Sequence, residues 1–203
     1  MTIKLSKTKK MPAKSWSIPA IKTCPAAIDT ETGGLVELCK DCYATKGFYN
    51  MPNVKDIREH NMKDWKRDEW EDEMVDLISE EKYFRWLDSG DMYTVKLATK
   101  FHNVIKRTSN CKHWLPTRMY KFNKFKDILG KINKLSNVAL RLSSDSLKGA
   151  KINMKGFTTT TVVPKGTIAV KDAWLCPASN NNGKCGDCRV CWDKDITVAY
   201  IHH

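Results

Sequence analysis

Eight cysteines offer the densest chemistry in this chain, and seven of them fall into two groups. Cys24, Cys39 and Cys42 are spaced C-x14-C-x2-C, and Cys176, Cys185, Cys188 and Cys191 are spaced C-P-x7-C-x2-C-x2-C. Three thiolates can hold a 4Fe-4S cluster by three irons and leave the fourth iron open to a ligand, whereas four thiolates close a site. The pattern predicts one reactive metal centre and one structural or electron-carrying centre. For the first group the competing readings are a zinc site completed by His60 or His102, or unrelated reduced thiols. For the second, the overlapping Cys185, Cys188, Cys191 triple with Cys176-Pro177 as fourth ligand favours iron–sulfur, because zinc sites usually use two separated CxxC pairs. A zinc knuckle that staples the end of the chain is the alternative. Gly183 and Gly186 let backbone amides approach cluster sulfurs. Cys111 stands apart and reads as a core thiol.

Elements that could position these groups alternate along the chain. Residues 15–23 are a candidate short strand, weakened by Pro19. Residues 53–82 read as one long charged helix with Val54, Ile57, Trp65, Met74, Val75 and Ile78 as its buried stripe. Strands are predicted at 83–88, 113–116, 138–142, 157–163, 167–170 and 196–201. Helices are predicted at 93–107, with Val95, Ala98, Phe101, Val104 and Ile105 inward, and at 122–135, with Phe122, Phe125, Ile128, Leu129 and Ile132 inward. Strands separated by single helices imply a mostly parallel α/β sheet, read as a partial (β/α) barrel. In such folds the site lies at the C-terminal strand ends. The residues found there are Cys24, then Ser89, Gly90 and Asp91, then Arg118, then Ser143, Ser144 and Asp145.

Each of these turns has an ordinary reading beside a functional one. Ser89, Gly90 and Asp91 can accept a ligand ammonium at a strand end, but also suit a plain turn. Ser143 and Asp145 can bind ribose hydroxyls or cap a helix. Arg118 can hold a carboxylate or phosphate, or be a surface arginine. The tryptophans near these sites (Trp16, Trp86, Trp114, Trp174, Trp192) read first as core.

The chain has 203 residues and a formal net charge of +12. Its size suggests a basic flexible arm at 1–14, an α/β domain at 15–172 and a cysteine-rich module at 173–203 packed on it. The positive balance favours an anionic partner such as a nucleotide or nucleic acid. No arginine-rich arm or zinc-finger histidine pair signals sequence-specific DNA reading. No stretch approaches a membrane span, and the basic start lacks the apolar region of a secretory signal, so a cytoplasmic protein is expected.

Several motifs resemble the phage gene product 88 family. They are Cys24-Pro25, the run Cys39-Lys40-Asp41-Cys42-Tyr43-Ala44, Gly47-Phe48-Tyr49, Pro52-Asn53-Val54, Arg58 and Asn61, the Ser89-Gly90-Asp91 turn, and the closing stretch from Cys185 to Trp192. The resemblance runs from about Ser15 to His202 and would place the protein in a host-cell cytoplasm. More distantly, the layout is similar to the radical S-adenosylmethionine enzymes. That resemblance implies a reactive cluster on Cys24, Cys39 and Cys42. It puts Gly90 and Asp91 in the place of a Gly-Gly-Glu turn, Ser143 and Asp145 beside a ribose, and an auxiliary cluster on the C-terminal four. The chain departs from that pattern in its fourteen-residue first gap, in Tyr43 following the last cysteine, and in the shorter acid at Asp91. The leading expectation is an iron–sulfur enzyme with one or two 4Fe-4S clusters. It would use S-adenosylmethionine and an external electron donor and act on a nucleotide or nucleic acid. The alternative is a zinc-stapled basic module that binds nucleic acid or a host protein without catalysis.

Overall fold

β-branched and apolar runs alternate with amphipathic stretches, and in the computed structural model, which describes residues 3–8 and 10–202, they become eight strands and five helices. The strands are β1 (Ser6–Lys7), β2 (Lys14–Trp16), β3 (Tyr83–Trp86), β4 (Lys112–Thr117), β5 (Val138–Ser143), β6 (Thr158–Val163), β7 (Trp174–Leu175) and β8 (Val198–Ile201). The helices are α1 (Glu37–Lys40), α2 (Pro52–Asp64), α3 (Trp70–Ile78), α4 (Val95–Arg107) and α5 (Lys126–Asn133). The strands form one sheet in the order β1-β2-β3-β4-β5-β6-β8-β7, antiparallel only between β1 and β2. The α/β class and parallel order meet the sequence expectation.

Alternation along the strands sorts the sheet into two faces. Phe84 and Trp86, Leu115, and Val138 and Leu140 meet α3, α4 and α5 in the main core, with Trp70, Met74, Phe101, Ile128 and Ile132. Trp16 lies edge-on to Trp70 at 5.4 Å and Trp86 packs on Phe101 at 4.3 Å. The inward stripes of α4 and α5 match their periodicity, except that Val95 is exposed. Thr94 caps α4 by accepting from the Leu97 amide at 3.1 Å. The opposite face carries Arg85, Trp114, Arg141 and Tyr200. The cysteine-rich end covers it, with Trp114 and Trp192 in a second, smaller core beside Cys185 and Cys191.

Three expectations need correction. The single helix over 53–82 is two, α2 and α3, broken where Arg67 folds back to donate to Asp64 at 2.7 Å and to Glu73 at 2.7 Å. The buried face of α2 is polar (Arg58, Asn61, Asp64), whereas Val54 and Ile57 are half-buried. Residues 167–170 form no strand, and only Val170 bridges Ala173. Within the segment expected as a flexible arm, Ser6–Lys7 pairs with β2, and Ile3, Met11 and Ala13 are buried. No helix among the described residues is long and apolar enough to cross a membrane.

His113 is a fully buried polar group whose partners fix its tautomer. Its Nδ1 accepts from the Trp86 indole at 3.1 Å, so Nε2 carries the proton and faces Thr108 Oγ1 at 2.9 Å. Burial lowers its pKa to about 4 from 6.5. The folded state therefore binds no proton here between those values, while the unfolded chain does. Stability is full above pH 6.5 and falls as pH drops toward 4, by on the order of 3 kcal/mol. Urea midpoints measured across this window should fall less steeply for His113→Gln than for the natural chain. Equal slopes would mean that His113 titrates as in the unfolded chain.

Candidate metal centre at the strand ends

The parallel order gathers the C-terminal ends of β2, β3, β4 and β5 along one rim. After β2 the chain passes through Ser17 and Ile18 to Cys24. After β3 it turns at Ser89, Gly90 and Asp91. The turn is locked directly beneath the cysteine loop. Ser89 Oγ donates to the Ile18 carbonyl at 2.9 Å, and the Asp91 amide donates to the Thr23 carbonyl at 3.1 Å. Gly90 has φ +80°, and a Cβ there would stand 2.5 Å from Ile18 Cγ1 and 2.6 Å from Thr23 Oγ1. Only glycine allows both the left-handed backbone and this close approach.

Asp91 does more inside the chain than its place in a turn suggested. Its carboxylate is buried and accepts from the Met92 amide at 2.8 Å, Thr117 Oγ1 at 2.7 Å and the Arg118 amide at 2.9 Å. It thereby ties the end of β4 to the end of β3. Burial raises its pKa, with those donors pulling the other way. Arg118, held by this tie, reaches the cysteine loop. Its Nη1 lies 3.1 Å from Cys39 Sγ, its Nε pairs with Asp145 at 3.0 Å, and its Nη2 donates to the Ser144 carbonyl at 3.3 Å. Lys121 pairs with the other oxygen of Asp145 and reaches the Ala26 carbonyl at 3.4 Å. Ser143 Oγ accepts from Thr160 at 3.3 Å. Cys39, Gly90, Asp91, Arg118 and Asp145, predicted from separate turns, thus meet through one chain of contacts. A hollow of about 200 Å³ opens beside them between Ala26, Ile28, Asp29, Val36, Lys121 and Asp145.

The thiols of the first group sense one another. Burial pushes Cys24 up to about 12, and Asp91, Cys39 and Cys42 add to the rise. Burial also raises Cys39, while the Arg118 cation opposes it. In the second group burial pushes Cys191 up to about 11, with the Tyr200 hydroxyl at 3.2 Å from its sulfur acting the other way. Cys185 is raised by burial and by the neighbouring Cys176. Among the described residues, no three histidine, cysteine, aspartate or glutamate side chains stand together in a way that would hold one metal ion. The two histidines weighed as zinc ligands have other neighbours: His60 lies 4.0 Å from Asp64, and His102 lies 3.2 Å from Asn103. Cys111 is fully buried in the main core, as expected of a core thiol.

Sequence reasoning missed the residues that hold the second group in place. Arg141, fully buried in β5, donates to the carbonyls of Val190 at 2.8 Å, Cys191 at 2.9 Å, Ile196 at 2.7 Å and Asp193. Trp192 donates to the Phe84 carbonyl at 2.9 Å. The one available signal was a charged residue at the centre of the apolar run Val138–Ser143. Also missed was Arg85, which lies between the two cysteine groups. Its guanidinium stacks on Trp114 at 4.2 Å and reaches the Tyr43 hydroxyl at 3.4 Å. Trp114 in turn stacks on Tyr200 with centroids 6.5 Å apart.

The profile of the gene product 88 family matches residues 2–194, a stretch that contains both cysteine groups and every residue of the rim. The chain belongs to the phage gene product 88 family. No curated protein and no solved structure matches it.

Proposed function

We propose that this member of the gene product 88 family is an iron–sulfur enzyme of the radical S-adenosylmethionine type, acting on a nucleotide or nucleic acid in the host-cell cytoplasm. The parallel sheet serves as the wall of a partial barrel. The observation that carries the reading is the contact of Arg118 with Cys39, at the point where the cysteine loop meets the Ser89, Gly90, Asp91 turn. The donor set fits an iron–sulfur group. All seven candidate ligands are thiols, and a cation stands 3.1 Å from one of them to balance thiolate charge.

Cys24, Cys39 and Cys42 would hold the first cluster and Cys176, Cys185, Cys188 and Cys191 the second. With that first cluster bound, the site would gain one-electron reduction of a sulfonium ligand, the electron coming from an external donor. The chain's own residues set the surroundings. Gly90 lets the turn lie flat under Cys24, Asp91 fixes Arg118, and Arg118 balances charge at Cys39 and at Asp145. Ser143 and Asp145 would bind a ligand's hydroxyls, Asp145 from the wall of the hollow.

Anaerobic purification followed by iron, sulfide and zinc analysis tests the reading. The natural chain should carry about eight irons with matching sulfide, and Cys42→Ser about four, the C-terminal centre remaining filled. Zinc without sulfide would overturn the proposal and leave a zinc-stapled binding module.

A further inference from the structure

The net charge of +12 is not spread over the molecule. Residues 92–171 contain 17 lysines and arginines against two acids, a balance of +15, whereas residues 15–91 contain ten against 17, a balance of −7. The fold sets the two halves side by side along the sheet. The acidic half builds β2, α2, α3 and β3 at one side of the sheet, and the basic half builds α4, β4, α5, β5 and β6 at the other.

The basic half presents a row of lysines along α5. Lys124, Lys126, Lys131 and Lys134 lie on or beside α5, all exposed, and none has an ion pair among the described residues. The loop between β5 and β6 adds exposed Lys148 and Lys155. Asn133 Nδ2 donates to the Gly156 carbonyl at 2.7 Å, which sets that loop against the end of α5. At the other end of α5 the row reaches Lys121 and Phe122, which border the hollow beside the first cysteine loop. Fourteen of the 17 basic residues are lysines. Lysine offers a point charge on a flexible stem, suited to a row of phosphates, with little of the planar fork geometry that reads base edges.

We infer that the α5 row binds a nucleic-acid strand through its phosphates and leads it to the hollow at the cysteine rim. A lipid surface fits less well, because the only large apolar side chains exposed in the basic half are Val95, Met154 and Ile168, none of them on α5. The inference does not depend on whether the cysteines hold iron or zinc.

Fluorescence anisotropy with labelled single-stranded and duplex oligonucleotides, over a series of salt concentrations, tests it on the whole chain. Binding should weaken linearly on a logarithmic salt axis. The triple variant Lys124→Ala, Lys131→Ala, Lys134→Ala should lower affinity at least tenfold at low salt. It should also flatten the salt slope by about 0.7 to 0.9 for each phosphate contact removed. The matched triple Lys55→Ala, Lys63→Ala, Lys66→Ala in the acidic half should bind as the natural chain does. Equal loss in both triples, no binding by the natural chain, or tighter binding to polyglutamate or phosphatidylserine vesicles than to either oligonucleotide would overturn the inference. Metal analysis of the same samples keeps this result separate from the test of the cluster reading.

Discussion

Replacing Arg141 by leucine should remove about 3–5 kcal/mol of folding stability and loosen residues 176–197 ahead of the rest of the chain. The guanidinium is fully buried and gathers four backbone carbonyls from a segment with little regular structure of its own. Leucine fills part of the volume but leaves those partly buried carbonyls without their donor, and a buried acceptor left unpaired costs about 1–3 kcal/mol. Lysine retains the charge on a single nitrogen and cannot span the four acceptors, so Arg141→Lys should fall between the two. Urea unfolding gives the stability, and limited trypsin digestion at Lys184, Arg189 and Lys194 reports the local release. An Arg141→Leu chain with natural stability and natural resistance to trypsin would show that the latch contributes nothing.

Gly90→Ala should be nearly as damaging, for a different reason. The added carbon meets Ile18 Cγ1 at 2.5 Å, Thr23 Oγ1 at 2.6 Å and the Ile18 carbonyl at 2.9 Å, and the backbone stays at φ +80°. Left-handed strain and overpacking together amount to about 4 kcal/mol. Relief can come only from moving the segment from Ile18 to Thr23, which leads into Cys24. If the cysteine groups hold clusters as proposed, the variant should therefore lose metal from the first group even at temperatures where it stays folded, while the second group remains filled. Gly156→Ala is the control. It has nearly the same φ, +81°, with nothing within 4 Å of the new carbon, so it carries the backbone strain without the collision. If the two variants melted together and held equal metal, the close packing under Cys24 would be irrelevant to the site.

Much of the frame was legible because apolar periodicity reports it directly. The stripes of α4 and α5 and the runs that became β3 to β6 and β8 were placed within a few residues, and the rim residues followed from strand ends alone. What escaped was polar burial. The inward face of α2 is Arg58, Asn61 and Asp64, and Asn61 earns its place by donating to the carbonyls of Lys4 and Ser17, at 2.9 Å and 3.0 Å, both far away in sequence. No local pattern announces such partners. The same holds for Asp91, read from its turn as a group facing a ligand but bonded to Thr117 and the Arg118 amide, and for Arg141 and Arg85. The edge strands β1 and β7 are two residues each, too short to produce a period.

Strand order also constrains how the molecule can be made. β7 precedes β8 in the chain, yet its place at the sheet edge rests on β8, which lies between β6 and β7. During vectorial synthesis β7 therefore emerges with no strand to join. Cys176, which follows β7 and whose amide donates to the Ala199 carbonyl at 2.8 Å, has to wait with it. The three remaining cysteines of that group are threaded next, and only the arrival of β8 fixes all four. Assembly of the second cysteine group is thus a late event, after translation has passed the last of its thiols. Until Val190 to Ile196 have emerged, Arg141 lacks its four acceptors, and the face it will close stays open to solvent and to chaperones.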